Sequence, residues 1–137
     1  MKSTCFCINL RRASRILTRL YDDELAPIGI PVTQYSLLAN ILRAPNSNLT
    51  ELADELYLER TTLLRNLKIL QAAGYISISH IKGEAGNKVS LTEQGRLKIE
   101  EARPYWEKAQ QKVRETLGDK GNTELLLLLD SLQQFDI

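Results

Sequence analysis

Residues 50–79, TELADELYLERTTLLRNLKILQAAGYISIS, decide the fold. The stretch divides into two short helices, over 50–56 and 59–73, separated by Tyr57-Leu58 with no room for a strand. On the second, Leu63, Leu67 and Leu70 share one face, suited to hold the helix to a core, while Thr61, Arg65 and Lys68 fall at i, i+4 and i+7 on another. Gly74 ends that helix as a left-handed C-terminal residue does. Tyr75-Ile76-Ser77-Ile78-Ser79 then alternates apolar and polar like a strand, and a second strand over 88–91 follows the glycine-rich 83–87, completing a hairpin.

Helix, tight turn, helix and hairpin, in that order, predict a winged helix-turn-helix, in which the second short helix enters the major groove of DNA. Arginine pairs in bidentate fashion with guanine edges, threonine bonds bases or phosphates, and lysine neutralises phosphate, so Thr61, Arg65 and Lys68 are groove-facing candidates. Arg60 and Thr62 add donors near the helix start. A solvated amphipathic helix is the alternative for this segment alone. On the wing, His80, Lys82 and Lys88 flank a tip that either lies against the sugar-phosphate backbone or is a flexible turn.

Upstream, Ile8, Ile16, Leu17, Leu20 and Leu25 predict a long first helix over 4–26, stopped by Pro27 and Gly29, with Arg11, Arg15 and Arg19 on one stripe. A second helix opens at Pro31 and Thr33, runs through Tyr35, Leu37, Leu38, Ile41 and Leu42, and closes in the turn-rich 44–48. Downstream, Thr92 is placed to cap a helix running toward Leu117, with Pro104 predicting a kink inside it and Gly118 to Gly121 breaking it. Leu125 through Leu129, Leu132 and Phe135 are then too apolar all round for an exposed tail and should be buried against something.

With 137 residues, 43% hydrophobic and 26% charged, the chain is sized and composed as one largely helical globular domain. Its net charge is only +1, yet residues 1–20 carry Lys2, Arg11, Arg12, Arg15 and Arg19 and no acid, so basic and acidic faces can coexist. Arginines interrupt the N-terminal apolar residues, no signal-peptide pattern forms, and no run reaches membrane-spanning length; a cytoplasmic protein is expected. Cys5 and Cys7 are too few for a zinc site, and the single His80 is distant. With no nucleophile beside a base, phosphate loop or metal cluster, neither an enzyme nor a cofactor is expected. A helical protein-interaction module, docking a partner through its apolar tail, is the competing class.

Asn48-Leu49-Thr50-Glu51-Leu52-Ala53-Asp54-Glu55-Leu56, Glu59-Arg60-Thr61-Thr62-Leu63, Leu70-Gln71-Ala72-Ala73-Gly74-Tyr75-Ile76 and Val89-Ser90-Leu91-Thr92-Glu93-Gln94-Gly95 together resemble the signature of the MarR family. The likeness extends to Val32-Thr33-Gln34-Tyr35 and spans almost the whole chain. It implies a mainly α (α+β) winged helix-turn-helix in one domain over 1–137, with dimerisation helices in 1–30 and 96–137 and a DNA-binding lobe over 31–95. The implied function is a homodimeric transcriptional regulator, usually a repressor, on a pseudo-palindromic operator. Ile8, Ile16, Leu20, Leu125, Leu128, Leu129, Leu132 and Phe135 then become dimer-interface candidates, packing within one protomer being the alternative. Family members commonly carry an Asp-Arg pair at the wing tip; here Gly83-Glu84 stands there, so either the wing contributes less or Lys82 and Lys88 substitute.

Cys5-Phe6-Cys7 opens the first helix, where the helix N-terminus and Arg11 and Arg12 favour a thiolate. Cys7, Ala13-Ser14-Arg15 and Tyr21 resemble the organic-hydroperoxide-sensing branch of the family, which implies that Cys7 is a sensing thiol and Tyr21 its hydrogen-bond partner; a second tyrosine of that branch falls on Val32. Cys5 would be a resolving thiol across the dimer. The competing readings are two small buried cysteines, or a regulator released by an aromatic or phenolic ligand bound between the dimerisation helices and the DNA-binding lobe.

Overall fold

The computed structural model describes residues 3–80 and 87–135. Helix α1 (Phe6–Leu25) leads through a 3-10 turn, Ala26–Ile28, into α2 (Val32–Arg43), α3 (Leu49–Leu56) and α4 (Arg60–Ala72). Strands β1 (Ile76–His80) and β2 (Asn87–Leu91) follow, then the long α5 (Glu93–Leu132) and a last 3-10 turn, Gln133–Phe135. Through the hairpin these are the predicted elements in the predicted order, with ends shifted by a residue or two, which is where helices fray and caps decide; α5, expected to end near Leu117, extends to Leu132.

The caps show why they start where they do. Asn48 accepts the Glu51 N–H at 2.8 Å while its own amide donates to the Glu51 carboxylate at 2.7 Å, a reciprocal box that fixes the start of α3. Thr92 caps α5 by accepting the Gly95 N–H at 3.1 Å, and its hydroxyl donates to the Gly74 carbonyl at 2.6 Å, so the exit of the hairpin is tied to the end of α4. Gly95 is buried, and a Cβ there would sit 2.1 Å from the Tyr75 carbonyl oxygen. Only glycine lets α5 begin this close to the entry of β1.

Strands β1 and β2 pair antiparallel, with Ile76 opposite Leu91 and His80 opposite Asn87. A further bridge joins Asn48 to Lys88, and the Val89 N–H donates to the Ser47 carbonyl at 3.3 Å. The segment expected only as a loop between α2 and α3 therefore also forms a short third edge of the sheet, joining the wing to the helix-turn-helix. Leu25, Leu38, Leu52, Leu63, Leu67, Leu70, Val89 and Ile99 are the largest fully buried side chains. Their convergence from α1, α2, α3, α4, β2 and α5 makes one core beneath α4, and burial of each such side chain supplies about 1.5–3 kcal/mol.

The distal elements depart from expectation in two respects. Helix α5 keeps helical backbone angles at Pro104, and the break expected over Gly118 to Gly121 is confined to Gly118, at φ 74° and ψ 167°, beyond which the helix resumes. The leucine tail, expected to be buried, is exposed in the single chain: Leu126, Leu127 and Leu128 are 69, 62 and 65% exposed, and Phe135 is 72% exposed. Leu129 and Leu132 are exposed, Leu125 half-buried. On α1, Ile8 and Ile16 are also exposed and Leu20 half-buried. The C-terminal end of α1 is fastened to the rest through the Asp22 carboxylate accepting the Val32 N–H at 2.8 Å and an ion pair between Glu24 and Lys112. No single helix among the described residues is long and apolar enough to cross a membrane.

Candidate nucleic-acid interface

Helix α4 sorts its side chains as its spacing requires. Leu63, Leu67 and Leu70 are 0% exposed and fix the helix to the core, while Arg60, Thr61, Arg65 and Lys68 are exposed and Thr62 is half-buried. The helix contains no acid from Arg60 to Ala72. Among the described residues none forms an ion pair with Arg60, Arg65 or Lys68. Thr61 and Lys68 are separated by about 10 Å along the axis at ~1.5 Å per residue, the height of roughly three base-pair steps. The five α4 residues singled out in the sequence thus lie on one helix, four of them openly exposed.

The turn before α4 is tight because Tyr57 adopts the left-handed conformation, φ 53° and ψ 38°, and donates its N–H to the Asp54 carbonyl at 3.3 Å, while the Leu58 N–H reaches Ala53 at 3.1 Å. On the wing, His80 is exposed at the end of β1, and Lys88 is half-buried on β2, opposite Ser79. Lys82, Gly83 and Glu84 lie outside the described residues.

The cysteines are free and exposed, so neither belongs to the protomer core. Cys5 is not inside the helix; it is the N-cap of α1, its N–H donating to Ser3 Oγ at 3.1 Å, and Cys7 stands in the first turn. Tyr21 donates its hydroxyl to Gln110 of α5, and burial pushes the phenol above its usual pKa, with Arg114 partly offsetting this. Cys7 and Tyr21 stand fourteen positions apart on one helix. At ~1.5 Å per residue that is about 21 Å, so the pairing implied by the resemblance does not form within one chain.

Two grooves were invisible to the sequence because each is assembled from elements distant along the chain. One, of about 510 Å³, is walled by Leu10, Leu17, Tyr21, Val32, Leu125 and Leu129, so both positions of the implied tyrosine pair face the same space. The other, of about 430 Å³ between α2 and α5, is lined by Tyr35, Ala39, Arg43, Ile99, Arg103 and Trp106, among other residues. The Tyr35 and Trp106 rings stand 5.7 Å apart, tilted by 36°. Among the described residues no three acidic, histidine or cysteine side chains are grouped to hold a metal ion.

A model of the MarR family matches residues 28–81. Among solved structures, the chain is similar to the M. tuberculosis transcriptional regulator MosR, with 32% identity over 98% of this chain and 99% of that chain and a TM-score of 0.82. The same regulator in complex with DNA aligns at a TM-score of 0.85, again with 32% identity, over 97% of this chain and 99% of that one. Bordetella bronchiseptica BpsR, whose DNA binding is regulated by 6-hydroxynicotinic acid, shares the fold at a TM-score of 0.87 with 20% identity, over 99% of this chain and 98% of that chain. No curated protein sequence matches. The match to MosR over nearly the full length of both chains, on a helix-turn-helix with its hairpin, places this chain in the MarR family of DNA-binding transcriptional regulators, which are not enzymes.

Proposed function

We propose that this chain binds a pseudo-palindromic operator as a homodimer, represses from it, and is released by oxidation of Cys7. The observation that carries the DNA contact is α4 itself, where an acid-free row of Thr61, Arg65 and Lys68 stands out from a leucine face with no exposure. Arg65 reads bases, Thr61 and Thr62 bond bases or phosphates, and Arg60, Lys68 and the wing residues His80, Lys82 and Lys88 support through phosphate. Residues 31–95 form the DNA-binding lobe; 1–30 and 96–137 form the dimerisation lobe, where Ile8, Ile16, Leu20, Leu125, Leu128, Leu129, Leu132 and Phe135 meet their copies.

Release by oxidation rests on geometry as well as on the resemblance. An exposed Cys7 out of reach of its own Tyr21 needs a second copy, running the other way along α1, to bring the two together. The thiolate is oxidised by an organic hydroperoxide to a sulfenic acid, the peroxide being reduced to the alcohol; with the second copy's Cys5 about 24 Å away in that arrangement, at ~1.5 Å per residue, a small-molecule thiol then condenses with the sulfenic acid to a mixed disulfide with loss of water. The test is affinity for the DNA upstream of the chain's own gene at fixed salt, before and after stoichiometric organic hydroperoxide. Tight binding that is lost on oxidation, restored by thiol and insensitive in Cys7→Ser supports the switch. Binding that ignores the oxidant sinks it.

A second reading, release by a small aromatic or phenolic ligand with the cysteines structural, is favoured by the groove between α2 and α5. Its Tyr35 and Trp106 offer ring faces, and Arg43 and Arg103 offer charge. Trp106 is the sole tryptophan. Quenching of its fluorescence by phenols or aromatic acids, with a matching loss of DNA affinity, separates this reading from the redox one.

A further inference from the structure

Glu59 is the residue on which helix α4 begins. It is the N-cap by backbone geometry, at φ −64° and ψ 144°, and its carbonyl accepts the Leu63 N–H at 3.0 Å. Its side chain, unlike those of Asn48 at α3 and Thr92 at α5, makes no capping hydrogen bond. It is exposed, and among the described residues no ion pair engages it. A glutamate is a poor N-cap, since Ser, Thr, Asn and Asp are the residues whose side chains close that end. It is also the wrong charge for the leading end of a helix that approaches phosphates, and the next acid along the chain is Glu84.

We propose that Glu59 is a specificity-determining residue that accepts a hydrogen bond from the exocyclic amino group of a cytosine or adenine in each operator half-site. The proposal rests on the reading of α4 as the recognition helix. The N-terminal residues of such a helix are the ones that meet base edges. An ionised carboxylate only accepts hydrogen bonds, and in the major groove only cytosine N4 and adenine N6 donate them, whereas guanine and thymine present acceptors that repel it. Its negative charge lowers affinity for every duplex through phosphate repulsion, and the amino group of the right base offsets that loss at one position alone. Glu59 therefore adds discrimination while subtracting from general affinity, the complement of what Arg60 and Lys68 do.

The experiment is selection from a random duplex pool at fixed salt with the wild-type protein and with Glu59→Ala, followed by titration of the enriched duplex, of its single-pair variants and of an unrelated duplex. The expected result is that the wild type enriches cytosine or adenine at one position of each half-site. Glu59→Ala should lose about ten-fold of that preference, and should bind the unrelated duplex as well or more tightly. Which of the two bases is enriched identifies the amino group. Unchanged base preference with uniformly tighter binding would show that Glu59 only repels phosphate, and overturns the proposal. Unchanged base preference with uniformly weaker binding and a lower thermal midpoint would show that it only supports the helix end, and also overturns it. A wild type that enriches no sequence fails one step earlier, overturning the operator reading together with this one.

Discussion

Arg65 and Leu67 sit two positions apart on α4 and face opposite worlds, so their substitutions separate recognition from folding. Arg65→Ala leaves the core untouched and should cost about 1–3 kcal/mol at a cognate operator, with a smaller loss on random DNA. Near-equal losses, measured by titration at one salt concentration, would assign Arg65 to phosphate. Leu67→Ala empties a site with no exposure and should cost about 2–5 kcal/mol of stability in denaturant titration, because the cavity beneath the helix cannot collapse fully. Both faces were legible in the sequence because a helical period of about 3.6 assigns each residue a face from its position alone. Close approach carries no period. Nothing in the residues near Gly95 announces that a methyl group there would meet the Tyr75 carbonyl, and the exposure of Cys5 and Cys7 depends on where α1 projects.

At the scale of elements, caps and glycines joined the parts as their residue types led one to expect, while contacts between distant segments did not declare themselves. Thr92 was readable as an N-cap, but its second bond, to the Gly74 carbonyl, was not. Thr92→Ala should therefore cost more than an ordinary cap, at about 2 kcal/mol or somewhat above. Amide exchange should show the added loss in β1 and β2 as well as in the first turn of α5. Protection lost only in α5 would mean that the bond to Gly74 contributes nothing. The bridge from Asn48 to Lys88 was hidden because a single paired residue has no alternation to detect. Pro104 keeps helical backbone angles, and the break expected from Gly118 onward falls at Gly118 itself, where φ and ψ lie in a region essentially reserved for glycine. Gly118→Ala should cost about 1–3 kcal/mol or force a different course on the residues beyond it, which a change in dimer affinity with little change in the thermal unfolding of the lobe would reveal.

For the whole molecule, the exposed leucines of the tail and the exposed apolar residues of α1 are too many for a stable free surface, and a second copy is the simplest cover. Sedimentation at falling concentration should show a dimer, and Leu128→Glu should shift it toward monomer and lower operator affinity by at least ten-fold, since a single lobe grips only one half-site. A monomer with full operator affinity would overturn the dimer, and a monomer that binds no DNA would favour a protein-interaction module. The sequence carried this much of the assembly, the apolar run itself, but a leucine row looks the same whether its own protomer or another covers it. If the cover is a second copy, completing the fold is a meeting between molecules, and its probability rises with the square of abundance while the protein is scarce. A newly made chain would then be open to proteolysis until it finds its counterpart, and synthesis rate would set persistence as well as amount. A promoter that slackened two-fold would leave fewer than half as many working regulators, so the gene under its control would respond to supply more sharply than in simple proportion.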